Sequence, residues 1–204
     1  FADVRHGGGP ASRPTGPHRQ MVEGVAARIF VAVPLPDELR MGLADRLRQF
    51  DIPGKVVPPQ NWHITIRFLG WTDDVALDRV LAALDETDLG PSFDVMLGEM
   101  GAFPRPRSAT VIWLAVSRGL DRLEELAAAA EEAAQSGGFG PEDRPFRAHL
   151  TLSRVRPAGD VSALVQSFPG ADLGWRCESV VVYRSHLGRG GARYEPLEIF
   201  PLAR

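Results

Sequence analysis

The chain has 204 residues, of which 44% are hydrophobic, and its formal net charge is −3. This length suits one compact domain or two small lobes around a shared cleft, and the charge does not favour nonspecific nucleic-acid binding. There is no apolar run of about 18 residues that could span a membrane, and a single cysteine excludes a disulfide framework and a Cys-based zinc site. We therefore expect a cytoplasmic protein with no membrane partner.

Arginine dominates the basic residues, because Lys55 is the only lysine among 23. Arginine suits bidentate contacts to phosphate. A GC-rich genome also favours arginine codons, and we take that as the better explanation of the bias.

Residues 1–20 are rich in Gly, Pro and Arg and have no hydrophobic periodicity, which predicts a disordered or cloning-derived extension before a natural start at Met21. Residues 21–204 are predicted to form a single domain. In chain order its predicted elements are a strand at 27–33, a helix at 35–50, a loop at 51–61, a strand at 63–70, a helix at 72–88, strands at 93–103 and 110–117, a helix at 120–135, a strand at 149–154, a helix at 160–168, and a hairpin of strands 175–187 and 192–200.

Two of these strands carry the same pattern of side chains. His63-Ile-Thr-Ile-Arg-Phe-Leu-Gly70 alternates polar and apolar residues, and His149-Leu-Thr-Leu-Ser-Arg154 repeats the pattern. Because successive side chains in a strand point to opposite faces, each histidine shares a face with the threonine two positions on. Each half of the sequence carries one such strand, which indicates a weak internal repeat and two lobes related by a pseudo-twofold axis. That symmetry would bring the two histidine faces together across a cleft.

Two facing imidazoles suit acid–base catalysis near neutral pH, since one ring can accept a proton while the other donates one. Hydroxyl groups beside them can donate hydrogen bonds to an oxyanion without adding charge. The combination suits in-line displacement at a phosphodiester. One His-x-Thr alone would indicate little, because a histidine on a strand is usually structural. A di-histidine zinc site is the competing functional reading, but neither motif has a nearby third ligand of the usual type.

The paired motifs resemble those of the 2H phosphoesterase superfamily, and more closely the RNA 2′,3′-cyclic phosphodiesterases historically called 2′-5′ RNA ligases. The segments that carry the resemblance are RIFVAVPLPDELR, NWHITIRFLG, GAFPRPRSATVIWLAV, FRAHLTLSRVR and YRSHLGRGGARYEPLEIFPL. The resemblance extends over essentially residues 27–202. The resemblance implies a bilobal α+β fold with two antiparallel β-sheets, outer helices and a central groove.

The same resemblance implies hydrolysis of RNA or nucleoside 2′,3′-cyclic phosphate ends to 2′-phosphomonoesters, with no metal or other cofactor. His63 would donate a proton to the leaving oxygen and His149 would accept one from water, although the residues alone do not rank the two. Thr65 and Thr151 would bind non-bridging phosphate oxygens. Arg154 falls at a position where related enzymes place a phosphate contact, although strict alternation would turn it away from His149.

Other candidates carry weaker signals. Arg67 shares the predicted His63 face but lies nearer the rim. Phe103, Arg105 and Arg107 could contact a base or RNA phosphates, or simply form a solvated turn. Gly188–Gly191 is predicted to form a tight turn, and Arg189 and Arg193 beside it could add positive potential to the groove. Packing roles are assigned to Trp62, Tyr194 and His186, and a buried apolar role to Cys177.

Two alternatives to hydrolysis stay open at this point. In the reverse direction, the same site would catalyse the joining of a 2′,3′-cyclic end to a 5′-hydroxyl and give a 2′-5′ bond. Water at about 55 M competes with the 5′-hydroxyl in that reaction. A non-catalytic module that binds RNA ends is the other alternative. The expected partner is RNA or a cyclic nucleotide, and the expected oligomeric state is a monomer.

Overall fold

The computed structural model describes residues 26–188 and 191–204. The extension predicted at 1–20, the start at Met21 and Arg189 of the predicted turn lie outside these residues. The strands are β1 (Ala27–Pro34), β2 (Lys55–Val56), β3 (His63–Thr72), β4 (Phe93–Phe103), β5 (Ala109–Arg118), β6 (His149–Gly159), β7 (Leu173–Cys177), β8 (Ser179–Gly188) and β9 (Gly191–Pro201). The helices are α1 (Asp37–Leu47), α2 (Asp74–Glu86), α3 (Leu120–Ser136) and α4 (Ser162–Ser167).

The described strands form an antiparallel sheet in the order β7-β4-β5-β6-β3-β1-β8-β9, with β2 added beside β6. The α+β class is therefore confirmed. The two predicted sheets correspond to the halves β7-β4-β5-β6 and β3-β1-β8-β9. They are joined where β3 meets β6, through the pairing of Ile64 with Leu150. The predicted bilobal fold thus has one continuous curved sheet, and the two histidine strands meet at its centre.

The lobes do not follow the two halves of the sequence. The predicted strand at 175–187 is wrong, because it consists of β7 and β8 with a break at Glu178. β7 pairs with β4 in one lobe, whereas β8 pairs with β1 in the other. The chain must leave the edge of one lobe and join β1 in the other lobe at this point, which interrupts the strand.

The helices pack outside the sheet, on the face opposite the cleft described below. Asp73 caps the N-terminus of helix α2, because its side chain accepts a hydrogen bond from the Ala76 backbone N–H at 2.8 Å. Helical spacing would place Val75 on the apolar side with Leu77 and Leu84, but Val75 is 62% exposed and Val80 is buried. The start of the helix at Asp74 places position 75 on the solvent side. Among the described residues no helix is long and apolar enough to cross a bilayer.

Candidate active site

The two histidine strands have the same burial pattern over seven residues, from His63 in β3 and from His149 in β6. Around the pairing of Ile64 with Leu150, the antiparallel register sets His63 opposite Thr151 and Thr65 opposite His149. The two histidines are then diagonal neighbours on one face, a relation that separates residues by about 7–8 Å. The two histidines are close enough that the charge of His149 lowers the pKa of His63.

Matching β-bulges shape both strands. Ile66 in β3 and Leu152 in β6 are extra residues with no partner in the adjacent strand. A bulge places two successive side chains on one side and so shifts the alternation by one residue. As a consequence, Phe68 and Arg154, each five positions after its histidine, return to the cleft face.

The bulges overturn three expectations from strict alternation. Strict alternation would place Phe68 on the core face with Ile64 and Ile66, but Phe68 is 43% exposed and lines the cleft. Arg67 was placed on the histidine face but is 8% exposed and points away from the cleft. Arg154 was expected to turn away from His149 but lines the cleft. Its place on the sheet now agrees with the phosphate contact that the family resemblance implied.

Arg67 instead links β3 to the segments that lead to the second motif. Its Nε lies 2.6 Å from a carboxylate oxygen of Glu131 in α3, and a terminal nitrogen lies 2.5 Å from Glu142. The other terminal nitrogen donates to the Gly140 carbonyl at 2.7 Å. The guanidinium therefore holds the segment between α3 and β6 against the first histidine strand.

Each imidazole is oriented by the backbone two residues before it. His63 Nδ1 lies 2.7 Å from the Asn61 carbonyl, and His149 Nδ1 lies 2.7 Å from the Arg147 carbonyl. A carbonyl can only accept, so Nδ1 carries the hydrogen in both rings and Nε2 is left with a lone pair in the neutral form. Thr65 Oγ1, at 3.1 Å, can donate to His63 Nε2. Both rings thus present the nitrogen that exchanges protons.

Aromatic rings surround each histidine. His63 lies against Phe30 at 4.8 Å and edge-on to Tyr194 at 5.1 Å between ring centroids. His149 lies edge-on to Phe103 at 5.2 Å and 6.2 Å from Trp113. These contacts hold the imidazoles in a weakly polar environment that disfavours their charged forms.

The electrostatics follow from that environment. Burial lowers the pKa of His63 from 6.5 to about 4, against the opposing effect of the Asn61 hydrogen bond, and the charges of His149 and Arg154 lower it further. Burial also lowers the pKa of His149, with Arg154 contributing in the same direction. Both rings are therefore neutral at pH 7 in the free protein, and an anion between them would restore their affinity for protons.

His63, Thr65, Thr151 and Arg154 line a cleft of about 380 Å³. His149 is not among the lining residues, but it lies on the same face of β6 as Thr151, which lines the cleft. The lining residues are Arg28, Phe30, Val57, Asn61, His63, Thr65, Phe68, Thr151, Arg154, Arg156, Ser185, Leu187, Ala192 and Tyr194. Among the described residues, no group of three His, Cys, Asp or Glu side chains could hold a metal ion.

Sequence reasoning missed several of these residues. Arg28, Arg156 and Tyr194 carry no local motif, and Tyr194 was assigned a packing role. Arg28 and Tyr194 reach the cleft because β8 pairs with both β1 and β9, a long-range arrangement with no local signal. Alternation within the 192–200 strand could have found Tyr194 only if its pairing partner had been known.

The weaker candidates divide between the cleft and other surfaces. Phe103 contacts the His149 ring, and Trp62 is buried as expected. His186 forms a 2.7 Å contact with Glu195, on the face of β8 opposite the cleft residue Ser185. Arg193 is paired with His186 and shares that outer face, so the expectation that it adds potential to the cleft is wrong. Arg105 and Arg107 line a separate surface pocket beside α4, and Cys177 is buried, which raises the pKa of its thiol to about 11.

Two histidine strands meeting at the centre of an antiparallel sheet, each with a threonine two residues on, define the class of two-histidine phosphoesterases. The sequence model of the family described as LigT-like phosphoesterase matches residues 33–113 and again 114–194. The chain belongs to this family, and the double match agrees with the pseudo-twofold repeat.

Several characterised relatives share most of the chain. It is 33% identical to an RNA 2′,3′-cyclic phosphodiesterase of Archaeoglobus fulgidus, over 85% of this chain and 99% of the relative. It is 34% identical to the enzyme of the same name from Thermus thermophilus, over 86% and 90%. Among solved structures, Escherichia coli LigT in its apo form superposes with a TM-score of 0.76 at 26% identity, over 89% of this chain and all of that one. The same E. coli protein in complex with 3′-AMP also gives 0.76, at 26% identity over 88% and 99%.

Proposed function

We propose that this protein hydrolyses the 2′,3′-cyclic phosphate at RNA or nucleoside ends to a 2′-phosphomonoester. The observation that carries the proposal is the pair of imidazoles on adjacent strands, each with Nδ1 held by a carbonyl and Nε2 left for the substrate. The names of the relatives, and the complex of E. coli LigT with 3′-AMP, support a nucleotide substrate.

In the proposed reaction, His149 Nε2 accepts a proton from water as the water oxygen bonds to phosphorus. The bond from phosphorus to the 3′ oxygen breaks, and His63, protonated at Nε2, donates its proton to that oxygen. Thr65 and Thr151 donate hydrogen bonds to the non-bridging oxygens, and Arg154 neutralises the developing charge. Water is consumed, and the two protons moved leave the histidines with exchanged protonation states.

This assignment requires a charged His63, although its pKa in the free protein is about 4. The negative phosphodiester supplies the missing counter-charge when it enters the cleft, because an opposite charge within about 4–6 Å favours the charged form. Substrate binding should therefore be accompanied by proton uptake. A low pKa also makes the charged ring a strong acid once the proton is in place.

The direct test is the rate of hydrolysis of a nucleoside 2′,3′-cyclic phosphate, with the position of the phosphate in the product read by ³¹P NMR. His63→Ala and His149→Ala should each lower kcat at least about 10²-fold, the usual scale for removing a general acid or base. His186→Ala is the matched control, since that histidine lies on the outer face of β8 and should leave the rate unchanged. Excess EDTA should not slow the reaction. Wild-type turnover in either of the first two variants would refute the proposal.

The same assay separates the two alternatives. Ligation would appear as a joined 2′-5′ product when a 5′-hydroxyl oligonucleotide is added, and we expect it as a minor activity. Binding of a 2′-nucleotide with no turnover of the cyclic phosphate would identify a non-catalytic module. A cytoplasmic location and a monomeric state stay predictions, the second checked by sedimentation equilibrium.

A further inference from the structure

An exposed aromatic residue stands outside the cleft on the same face of the sheet. Trp71, near the end of β3, is 70% exposed, although tryptophan is usually well buried. It pairs directly with Arg28 of β1, and directly paired residues point to the same face. Arg28 lines the cleft, so Trp71 continues the surface of the cleft beyond its rim.

Arg28 connects Trp71 to a second exposed ring. Its guanidinium carbon lies over the Phe68 ring, 5.3 Å from the centroid. Phe68, Arg28 and Trp71 thus form a row of flat side chains that begins inside the cleft and ends outside it. We refer to these three residues as the stacking row. The carboxylate of Asp73, two residues after Trp71, caps helix α2.

The row matches the chemistry of single-stranded nucleic acid. Bases stack on aromatic rings and on the guanidinium plane, and an arginine between rings also attracts the phosphate backbone. A protein partner would need a broader apolar patch than two rings separated by a cation.

Distance decides which nucleotide each ring can meet. Eight residues separate His63 from Trp71, about 25 Å of strand, or somewhat less where the bulges shorten it. A nucleotide whose phosphate lies between the two imidazoles cannot extend that far. Phe68 is in reach of the terminal nucleoside, whereas Trp71 is in reach only of a nucleotide further upstream.

We propose that the stacking row binds the unpaired nucleotides preceding the cyclic phosphate, so that the preferred substrate is a single-stranded RNA 3′ end rather than a mononucleotide. This inference rests on the proposed function, because it takes the cyclic phosphate to lie between the histidines. It adds a binding site for at least one upstream base, with Trp71 as the residue that contacts it.

The test compares adenosine 2′,3′-cyclic phosphate with an oligoadenylate trinucleotide ending in the same group. Trp71→Ala should lower kcat/KM for the trinucleotide by roughly 5- to 150-fold, the effect of losing one stacked base, and leave the mononucleotide unaffected. Trp71→Phe should retain most of the wild-type preference. Met41→Ala removes a similarly exposed apolar side chain from α1 and should change neither rate.

Three outcomes would overturn the inference. Equal losses on both substrates would show that Trp71 only supports the fold, and no loss on either would show that no base contacts it. Self-association of the wild type that Trp71→Ala abolishes would make the row a contact between two copies of the chain. If the wild type hydrolysed neither substrate, the proposed function would fail, and the row would be tested by fluorescence anisotropy with a labelled single-stranded RNA. Unchanged binding by Trp71→Ala would then refute it.

Discussion

The protonation of the two histidines leads to a prediction about pH. The kcat/KM value reports the free enzyme, and the proposed reaction needs one neutral and one charged imidazole. The pKa of His63 is about 4 and that of His149 is below 6.5. Both rings are therefore mostly neutral above pH 6.5, so the singly protonated pair is most populated below that pH, and kcat/KM should reach its maximum there. Each unit above it removes about nine-tenths of the active form, so kcat/KM at pH 8.5 should be about 100-fold or more below the maximum.

The measurement is the initial rate on a nucleoside 2′,3′-cyclic phosphate from pH 3.5 to 9, with kcat and KM determined separately. The optimum of kcat should lie at higher pH than that of kcat/KM, because the bound phosphate raises both pKa values. Arg154→Gln removes a charge that lowers the pKa of both rings, so it should move the kcat/KM optimum upward. Arg156→Gln is the control, since that arginine lines the cleft but is not among the charges that lower either pKa.

Two results would contradict this reasoning. One is a kcat/KM maximum at pH 8 or above, which would mean that the imidazoles are not perturbed downward in the free protein. The other is an optimum that does not respond to Arg154→Gln while Arg156→Gln shifts it. In that case a different cation would control the site.

Three further predictions concern the ion pairs, the division of roles and the fold's response to acid. Arg67→Met should lower the free energy of unfolding by about 3 kcal/mol and so lower Tm by about 6–12 °C. This value is the lower end for breaking a buried ion pair, because both glutamates keep some solvent contact. An unchanged Tm would contradict the role of Arg67 in linking these segments. With bis(4-nitrophenyl) phosphate, whose leaving group needs no proton, His63→Ala should retain most of its activity and His149→Ala should lose it, and the reverse result would exchange their roles. The unfolded chain binds a proton at His63 near pH 6.5 but the folded chain only near pH 4, so stability should fall as pH drops through this window, by at most about 3 kcal/mol. Urea titrations of His63→Gln should show a flatter dependence, and an equal slope would assign the effect to other groups.

Local sequence patterns were sufficient for the parts of the site that depend on alternation. His63 and Thr65 share a face because a strand has a period of two, and the same holds for His149 and Thr151. Alternation failed at Ile66 and Leu152, where an extra residue shifts the pleat, and so it misplaced Arg67, Phe68 and Arg154. A bulge arises from how one strand pairs with another, and nothing in the bulged sequence itself distinguishes it from a regular strand.

Long-range pairing also limited the prediction of the fold. The hairpin of β8 and β9 was predicted from its turn, and its pairing is confirmed. That β8 would pair with β1, and bring Tyr194 to His63, depends on contacts between opposite ends of the chain. The break at Glu178 has the same origin. Residues 175–187 look like one continuous strand in the sequence, and they are divided only because β7 pairs with β4 whereas β8 pairs with β1.

The return of the last two strands to the first lobe has a consequence for synthesis on the ribosome. Until β8 emerges, β1 has a free edge, and such an edge can pair with other chains. Tyr194 and the wall of the cleft beside His63 arrive only with β8 and β9, so a nascent chain that stops before these strands would carry both histidines without an assembled pocket. Activity is thereby restricted to chains that have been translated beyond Tyr194.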